Sequence, residues 1–415
     1  MASSEITLEA VPSVGKISPA DWDACANPVT GPASLQNLDT PASSGPVGDS
    51  CPNSRPAYNP FVSHAFFAAA EASGSACART GWGPRHLLAK VGGRIAGIVP
   101  CYLKSHSQGE YVFDRGWADA YMRAGGSYYP KLQVSVPFTP ATGPRLLIRD
   151  GVGRDRIGSA LASGLMALCN ATDASSVHVT FAREAEAKFL GAHGFLQRND
   201  QQFHWHNEGF KTFDDFLATL NSRHRKGIKR ERREAVAAGI SIHWLTGADI
   251  TEDAWDAFFE FYMETGSRKW GRPYLTRKFF SLIGESMARD VLLVMAKRGG
   301  RWIAGAINFI GSDTLFGRNW GAIEHHNFLH FEVCYYQAID FAIQRGLKVV
   351  EAGAQGEHKL TRGYLPQTTY SAHYIADPDL RRAIADYLRR ERAYVAEVGR
   401  ELADAGPFRK GGDEA

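Results

Sequence analysis

The sequence is poor in cysteine, with six residues in a chain of 415. They are Cys25, Cys51, Cys77, Cys101, Cys169 and Cys334. No two of them form a CxxC pair, so their spacing favours neither a zinc ribbon nor a disulfide framework. Scattered single thiols in a long chain are typical of a protein whose cysteines stay reduced.

Long apolar runs and an excess of one charge are also missing. No apolar run reaches the roughly 20 residues that a membrane-spanning helix needs. The first residues lack the basic segment and the apolar segment of a secretory signal. Because the formal net charge is only +3, the chain as a whole does not look like a nucleic-acid-binding protein. We therefore expect a cytoplasmic protein.

The composition is otherwise that of a globular protein, with 44% hydrophobic and 22% charged residues, at a length that suits two domains. Residues 28–58 are the exception, because Pro, Ser, Gly, Asn and Asp dominate them and no apolar period is present. This composition predicts a disordered insert.

An internal repeat is the most informative feature. Residues 87–100 read LLAKVGGRIAGIVP, and residues 292–309 read LLVMAKRGGRWIAGAINF. Each predicts a hairpin, because a Gly-Gly pair between apolar runs supplies the positive φ angles of a tight turn. A second match follows at a similar offset, FDRGWA at 113–118 and FGRNWGA at 316–322.

Both halves then continue in the same order. A helical pattern over 156–170 precedes a strand over 176–181, and one over 331–345 precedes a strand over 347–351. This order predicts an α/β (α+β) fold of two tandem domains, each a mixed, mostly antiparallel sheet with flanking helices. The expected divisions are 1–27 (start of the first domain), 28–58 (insert), 59–208 (first domain), 209–376 (second domain, the catalytic candidate) and 377–415 (C-terminal helix and tail).

A basic run lies between the halves, where residues 223–233 contain seven Lys or Arg in eleven positions. This run either contacts the phosphates of a tRNA or nucleotide precursor, or forms a solvated helix face. No aromatic residue lies within it, which disfavours sequence-specific RNA binding.

Titratable side chains crowd into residues 321–336, directly after a predicted strand. Such density beside aromatic residues indicates a pocket with perturbed pKa values. Its candidate members are Trp320, Glu324, His325, His326, His330, Glu332, Tyr335 and Tyr336. The four histidines at 325, 326, 330 and 358, with the nearby glutamates, also leave a metal site open as an alternative, although we expect no metal.

A glycine-containing loop, EAGAQGEHKLTRGYLP, follows the next strand at 351–366. Gly353 and Gly356 permit close approach of the backbone to a ligand. Lys359 and Arg362 are natural partners of phosphate or carboxylate. The candidate ligand-binding residues of this loop are Glu351, Gln355, Glu357, His358, Lys359 and Arg362.

The chain resembles the FemAB-like family of GNAT-fold proteins, which are often labelled peptidoglycan biosynthesis or recognition proteins. The segments that carry the resemblance are NPFVSHAFFAAAE (59–71), PCYLKSHSQGEYVFDRGWADAY (100–121), YYPKLQVSVPFTPATGPRLL (128–147), LHFEVCYYQAIDFAIQRG (329–346) and EAGAQGEHKLTRGYLP (351–366). The resemblance implies two GNAT-like domains and kinship with transferases that move amino acids from aminoacyl-tRNA onto peptidoglycan precursors. In those enzymes a Lys and a Gly-aromatic pair approach substrate phosphate, as Lys359 and Gly363-Tyr364 would here.

The resulting hypothesis is an N-acyltransferase that uses acyl-CoA or aminoacyl-tRNA as co-substrate and an amine, such as a peptidoglycan precursor or an amino acid, as acceptor. Glu332 or Glu324, helped by His326 or His330, is the candidate base. Tyr335 or Tyr336 is the candidate acid, and Lys359 would stabilise negative charge. A catalytically inactive module that binds a cell-wall precursor or a peptide is the alternative.

The first half contributes two further sets of candidates. Arg154, Gly158 and Ser159 partly match the loop that holds the CoA pyrophosphate in GNAT enzymes, although the first glycine of that loop is missing. Residues that could line a cleft between the domains are Asp114, Trp117, Asp119, Tyr121 and Lys131.

Overall fold

A computed structural model describes residues 5–28, 58–270, 273–353 and 356–409, without the side chains of 267–270 and 357. The predicted insert falls almost wholly outside these residues. The first half consists of β1 (Ile6–Val11), α1 (Pro19–Ala26), α2 (His64–Ala72), β2 (Trp82–Pro84), β3 (His86–Val91), β4 (Arg94–Val99), β5 (Cys101–Lys104), α3 (Arg115–Arg123), β6 (Lys131–Val134), β7 (Leu147–Ile148), α4 (Arg154–Ala171), β8 (Ser176–Ala182), α5 (Glu184–Ala192) and β9 (Leu196–His206).

The second half begins with two helices that join it to the first. Its elements are α6 (Phe213–Thr219), α7 (Ser222–Ala235), β10 (Ile240–Thr246), α8 (Glu252–Trp270), α9 (Arg277–Met287), β11 (Val291–Arg298), β12 (Arg301–Ile310), β13 (Thr314–Ala322), α10 (Leu329–Phe331), a π-helical turn (Glu332–Tyr336), α11 (Gln337–Gln344), β14 (Val349–Glu351), a 3₁₀ helix (Glu357–Arg362), β15 (Leu365–Ile375) and α12 (Pro378–Asp404). Among the described residues, no helix has both the length and the apolar character to cross a bilayer.

The two predicted hairpins are confirmed as β3–β4 and β11–β12. Their turns have the same register, with Val91 opposite Arg94 and Arg298 opposite Arg301. Both glycines of each turn have positive φ angles, 56° and 78° in the first and 55° and 81° in the second. Glycine adopts this conformation without steric cost, which explains why the Gly-Gly pair occurs in both halves.

The second sequence match is wrong as a structural equivalence. Residues 316–322 belong to strand β13, whereas most of 113–118 belongs to helix α3. α3 forms because Trp117, Ala118 and Tyr121 have helical spacing, and all three contact the core cluster that includes α12. The counterpart of β13 is β6, because β6 is parallel to β8 as β13 is parallel to β14.

The sheets show how the halves join. An 11-stranded sheet has the order β10-β11-β12-β13-β14-β9-β15-β8-β6-β5-β2, and a separate four-stranded sheet has the order β1-β3-β4-β7. The predicted mixed sheets with flanking helices are confirmed, but the two halves share one sheet. β15, from the end of the chain, lies between β8 and β9 of the first half.

Aromatic packing also connects the halves. The ring of Phe61 lies 4.7 Å from that of Phe309 and 5.3 Å from that of Phe316. α8 and α9 pack on this face of β11–β13, whereas the π-helical turn and α11 cover the opposite face. The strands β11–β13 are thus enclosed between two layers of helices.

Candidate functional site

The candidate site lies where β13 and β14 separate. These parallel strands pair at only three positions, and the last pair is Phe316 with Glu351. β13 continues to Ala322, so its edge beyond Phe316 is not paired with β14. A cleft of about 70 Å³ opens there, lined by Ala306, Asn308, Gly317, Arg318, Asn319, Trp320, His330, Cys334, Tyr335 and Ala352.

A β-bulge shapes this edge. Ala306 of β12 pairs with Trp320, but Asn308 pairs with Gly317, so β13 has one extra residue between these pairs. A bulge changes the alternation of side chains along a strand. Phe316 therefore packs on the Phe61 side, whereas Trp320 turns to the other face and contacts the ring of His330 at 5.2 Å.

The π-helical turn supplies the opposite wall. Turns of this kind are rare in proteins, and those that occur are often found at functional sites. Cys334 and Tyr335 of this turn line the cleft. The phenol oxygen of Tyr335 lies 2.9 Å from Nε2 of His358, and burial raises the pKa of Tyr335. The ring of His330 lies 5.4 Å from that of Tyr335, so these three predicted residues do come together.

Lys359 does not line the cleft but lies close to two residues that do, Cys334 and Arg318. Its side chain is only 1% exposed, and Nζ donates a hydrogen bond to the carbonyl of Gly353 at 3.0 Å. Burial lowers the pKa of Lys359 to about 8. Gly356 has a φ of 124°, and a Cβ atom there would lie 2.5 Å from the ring of His358. Glycine at this position is therefore needed to place both His358 and Lys359.

Glu351 ends β14 and lies against the first half. Burial raises its pKa to about 8, although Arg318 and Arg145 oppose this shift and a backbone N–H of Thr142 donates to it. Arg145 is 1% exposed and donates to the carbonyls of Ala141, at 2.7 Å, and Thr180, at 2.9 Å. The surroundings of Glu351 thus contain residues of both halves. Arg145 and Thr142 were not predicted from the sequence as members of a site.

Glu332 is held by α7 and is not among the residues that line the cleft. Its carboxylate lies 3.0 Å from Nη2 of Arg232 and accepts a hydrogen bond from Gln337 at 2.7 Å. Glu332 is 3% exposed, and burial raises its pKa although Arg232 lowers it.

Tyr336 and Arg362 contact the same helix through Glu231. Arg362 pairs with Glu231 at 2.9 Å, and the hydroxyl of Tyr336 donates to the same carboxylate. Some charged residues of 223–233 thus form ion pairs and hydrogen bonds with the rest of the protein. The exposed cations of this segment are Arg223, Lys226, Lys229, Arg230 and Arg233.

Glu324 and His326 form a separate group at the end of β13. Glu324 pairs with Arg298 at 2.7 Å and with His326 at 2.8 Å, and these hydrogen bonds lower the pKa of Glu324. Neither residue lines the cleft, and His325 is exposed. Within the described part of the chain, no group of three or more His, Cys, Asp or Glu residues could hold a metal ion.

The first-half candidates lie in a buried polar cluster of that half. Nζ of Lys131 donates to Glu110 at 2.7 Å and also contacts Asp114, which accepts a hydrogen bond from Tyr128 at 2.7 Å. The ring of Trp117 lies 5.1 Å from that of His373. Two candidates are less buried: Asp119 is exposed and Tyr121 half-buried. Glu110 was not predicted from the sequence.

The partial CoA loop lies at the start of α4. A Cβ atom on Gly158 would lie 2.9 Å from the ring of Phe189, so this glycine permits close packing of α4 on α5. Ser159 donates to the carbonyl of Asp155 at 2.7 Å, and Arg154 is exposed. Of the remaining candidates, Gln355 lies outside the described residues, as does the side chain of Glu357.

Three comparisons place the chain among known proteins. The model of the FemAB_like family, described as peptidoglycan biosynthesis/recognition, matches residues 13–410. No curated protein gives a significant sequence match.

Solved structures give weak similarity over long stretches. FemX shows 12% identity and a TM-score of 0.48, covering 74% of this chain and 92% of its own. A tandem GNAT protein from the clavulanic acid biosynthesis pathway shows 13% identity and a TM-score of 0.43, covering 90% and 99%. L-PGS from Bacillus licheniformis shows 8% identity and a TM-score of 0.45, covering 71% and 86%. Since the family model spans nearly all of the sequence, the chain belongs to the FemAB_like family of peptidoglycan biosynthesis and recognition proteins.

Proposed function

We propose that this protein is an N-acyltransferase whose reaction takes place in the cleft between β13 and β14. The observation that carries the proposal is that His330 and Tyr335 line this cleft and that the buried Lys359 donates to Gly353, next to Ala352 of the cleft lining. Membership of the FemAB_like family supports transfer of an acyl or aminoacyl group in peptidoglycan synthesis.

The reaction joins an amine nitrogen to an acyl carbon. A C–N bond forms, and the C–S bond of an acyl-CoA or the C–O bond of an aminoacyl-tRNA breaks. The amine loses a proton to a base, and the leaving sulfur or oxygen gains one from an acid. The negative charge that develops on the carbonyl oxygen needs hydrogen-bond donors or a cation.

His330 is the base in this proposal, because it lines the cleft beside Trp320. Tyr335 is the acid, held by His358. Lys359 and the backbone N–H groups of β13 beyond Phe316 stabilise negative charge or bind a substrate phosphate. Glu332 and Glu324, with ion pairs to Arg232 and Arg298, act as positioning residues.

The donor is acyl-CoA or aminoacyl-tRNA, and the acceptor is an amine of a peptidoglycan precursor or an amino acid. The exposed cations of 223–233 support contact with the phosphates of tRNA or of a nucleotide-linked precursor.

The test is a transfer assay followed by mass spectrometry. The full chain is incubated with acetyl-CoA or aminoacyl-tRNA and a panel of precursor peptides and amino acids. His330→Ala and Lys359→Ala should each lower kcat at least about tenfold while the protein remains folded. Arg301→Ala, in the exposed hairpin turn, is the matched control. If ligands bind but no donor is consumed with any acceptor, the protein is a binding module and the proposal fails.

A further inference from the structure

Arg318 borders two cavities. It lines the cleft, and it also lines a narrow crevice of about 10 Å³ on the opposite face of the sheet. The aromatic residues around this crevice are Phe61, Phe66, Phe138, Phe279, Phe280 and Phe309. The bulge in β13 places Arg318 at this junction, directly beside the unpaired edge of the strand.

This arginine differs from two others of the second half, which pair with carboxylates. Arg232 pairs with Glu332 at 3.0 Å, and Arg362 pairs with Glu231 at 2.9 Å. Throughout the described residues, no carboxylate forms an ion pair with Arg318. Its guanidinium instead lies 5.8 Å from the centre of the Phe61 ring.

The carboxyl group that acts on Arg318 most directly does not neutralise it. That group belongs to Glu351, and because burial raises its pKa to about 8, it is mostly protonated at neutral pH. Tyr111, the other acidic neighbour, also has a raised pKa. A half-buried cation to which the described residues supply no carboxylate ion pair is unfavourable, so this position is suited to an anion supplied by a ligand.

We infer that the acceptor amine carries a carboxylate group, and that Arg318 binds this group while the amine faces the acyl donor in the cleft. This inference rests on the proposed function and specifies its substrate class. The planar guanidinium matches a carboxylate through two parallel hydrogen bonds. An α-amino acid, or a short peptide with its amine near a free carboxylate, belongs to this class, whereas the acyl group of either donor has no free carboxylate at its reacting carbon.

Binding can be tested without turnover. The full chain is titrated by calorimetry and thermal shift with the standard amino acids, their carboxamides and a set of dipeptides. At least one acid should bind and raise Tm, and its amide should bind at least tenfold more weakly. Arg318→Gln should lose this preference, whereas Arg301→Gln, at an exposed arginine of the hairpin turn, should keep it. If Arg318→Gln does not fold, Arg318→Lys tests the same point, because an ammonium lacks the planar fork.

The outcomes separate this inference from the proposed function. If no acid binds, or if acids and amides bind equally well, the inference is overturned. Acyl transfer to amines without a carboxylate, at equal rates in wild type and Arg318→Gln, would also overturn it and leave acyl transfer standing. Carboxylate binding through Arg318 without consumption of any donor would refute the proposed function alone.

Discussion

The phenol of Tyr335 and Nε2 of His358 lie 2.9 Å apart, which links the π-helical turn to the segment that carries Lys359. The phenol of Tyr335, whose pKa burial raises further, is protonated at neutral pH and so has a proton to donate. We expect Tyr335→Phe to lower kcat about tenfold or more. Its Tm should change little, since the ring keeps its stacking on Phe331.

Steady-state kinetics with a saturating donor measures this effect. Tyr387→Phe, on the exposed side of α12, is the control. An equal loss of kcat in both variants would contradict a role for the Tyr335 hydroxyl.

The pH dependence of activity should report on Lys359. Its pKa is lowered to about 8 by burial, so the ammonium is present below pH 8 and is lost as the pH rises through that value. If the cation is needed, kcat/KM should fall above pH 8, by about tenfold for each further pH unit. Lys359→Arg should move this limb to higher pH, because a guanidinium stays charged. A profile that is the same in both proteins would exclude Lys359 as the titrating group.

Acid should destabilise the protein through His178. Burial lowers the pKa of His178 from 6.5 to about 3, so the unfolded chain binds a proton more readily than the folded one. The contribution of His178 to stability is complete above pH 6.5 and is lost as the pH falls towards 3, at about 1.4 kcal/mol per pH unit.

Urea unfolding at about pH 7 and at about pH 5 measures the difference in the free energy of unfolding. His178→Gln should lower stability at neutral pH but reduce its loss on acidification. A variant with the same acid sensitivity as wild type would show that other groups cause it.

Substitutions in the ion pair of Glu332 with Arg232 can show whether the role of Glu332 is structural or catalytic. Glu332→Gln leaves Arg232 with Asp340 as its remaining partner, at 2.6 Å, and should lower the free energy of unfolding. Removing one partner of a fully buried pair costs about 3–5 kcal/mol, and the loss here should be smaller because the side chain of Arg232 is 25% exposed. The double variant that combines Arg232→Met with Glu332→Gln should lose less free energy of unfolding than the two single variants lose in sum. If Glu332→Gln keeps its Tm and loses kcat about tenfold, Glu332 acts in catalysis, as the sequence suggested.

The sequence predicted the elements of the fold better than their connections. Gly92-Gly93 and Gly299-Gly300 specified two hairpins because the turn requires positive φ angles, which is a local property. The placement of β15 between β8 and β9 depends on contacts between distant segments, so no local pattern indicated it. The match of FDRGWA to FGRNWGA did not correspond to equivalent elements, because tertiary packing of Trp117 stabilises a helix in the first half.

The same limit applied to the site. The predicted cluster did contain His330, Tyr335 and His358, which the structure brings together. Their neighbours Glu332 and Glu324 point elsewhere, because a π-helical turn and the end of β13 direct them to Arg232 and Arg298. Arg318 was within a quoted motif, but the sequence alone could not show that no carboxylate of the described residues forms an ion pair with it.

The position of β15 has a consequence for synthesis on the ribosome. The first half leaves the ribosome with β8 and β9 made but without the strand that separates them. Each of these strands then presents an unpaired edge until residues 365–375 have emerged. The first half therefore cannot complete its native sheet during its own translation, and a chain cut after residue 208 would lack a central strand. Folding of both units is completed only after nearly the whole chain has been made.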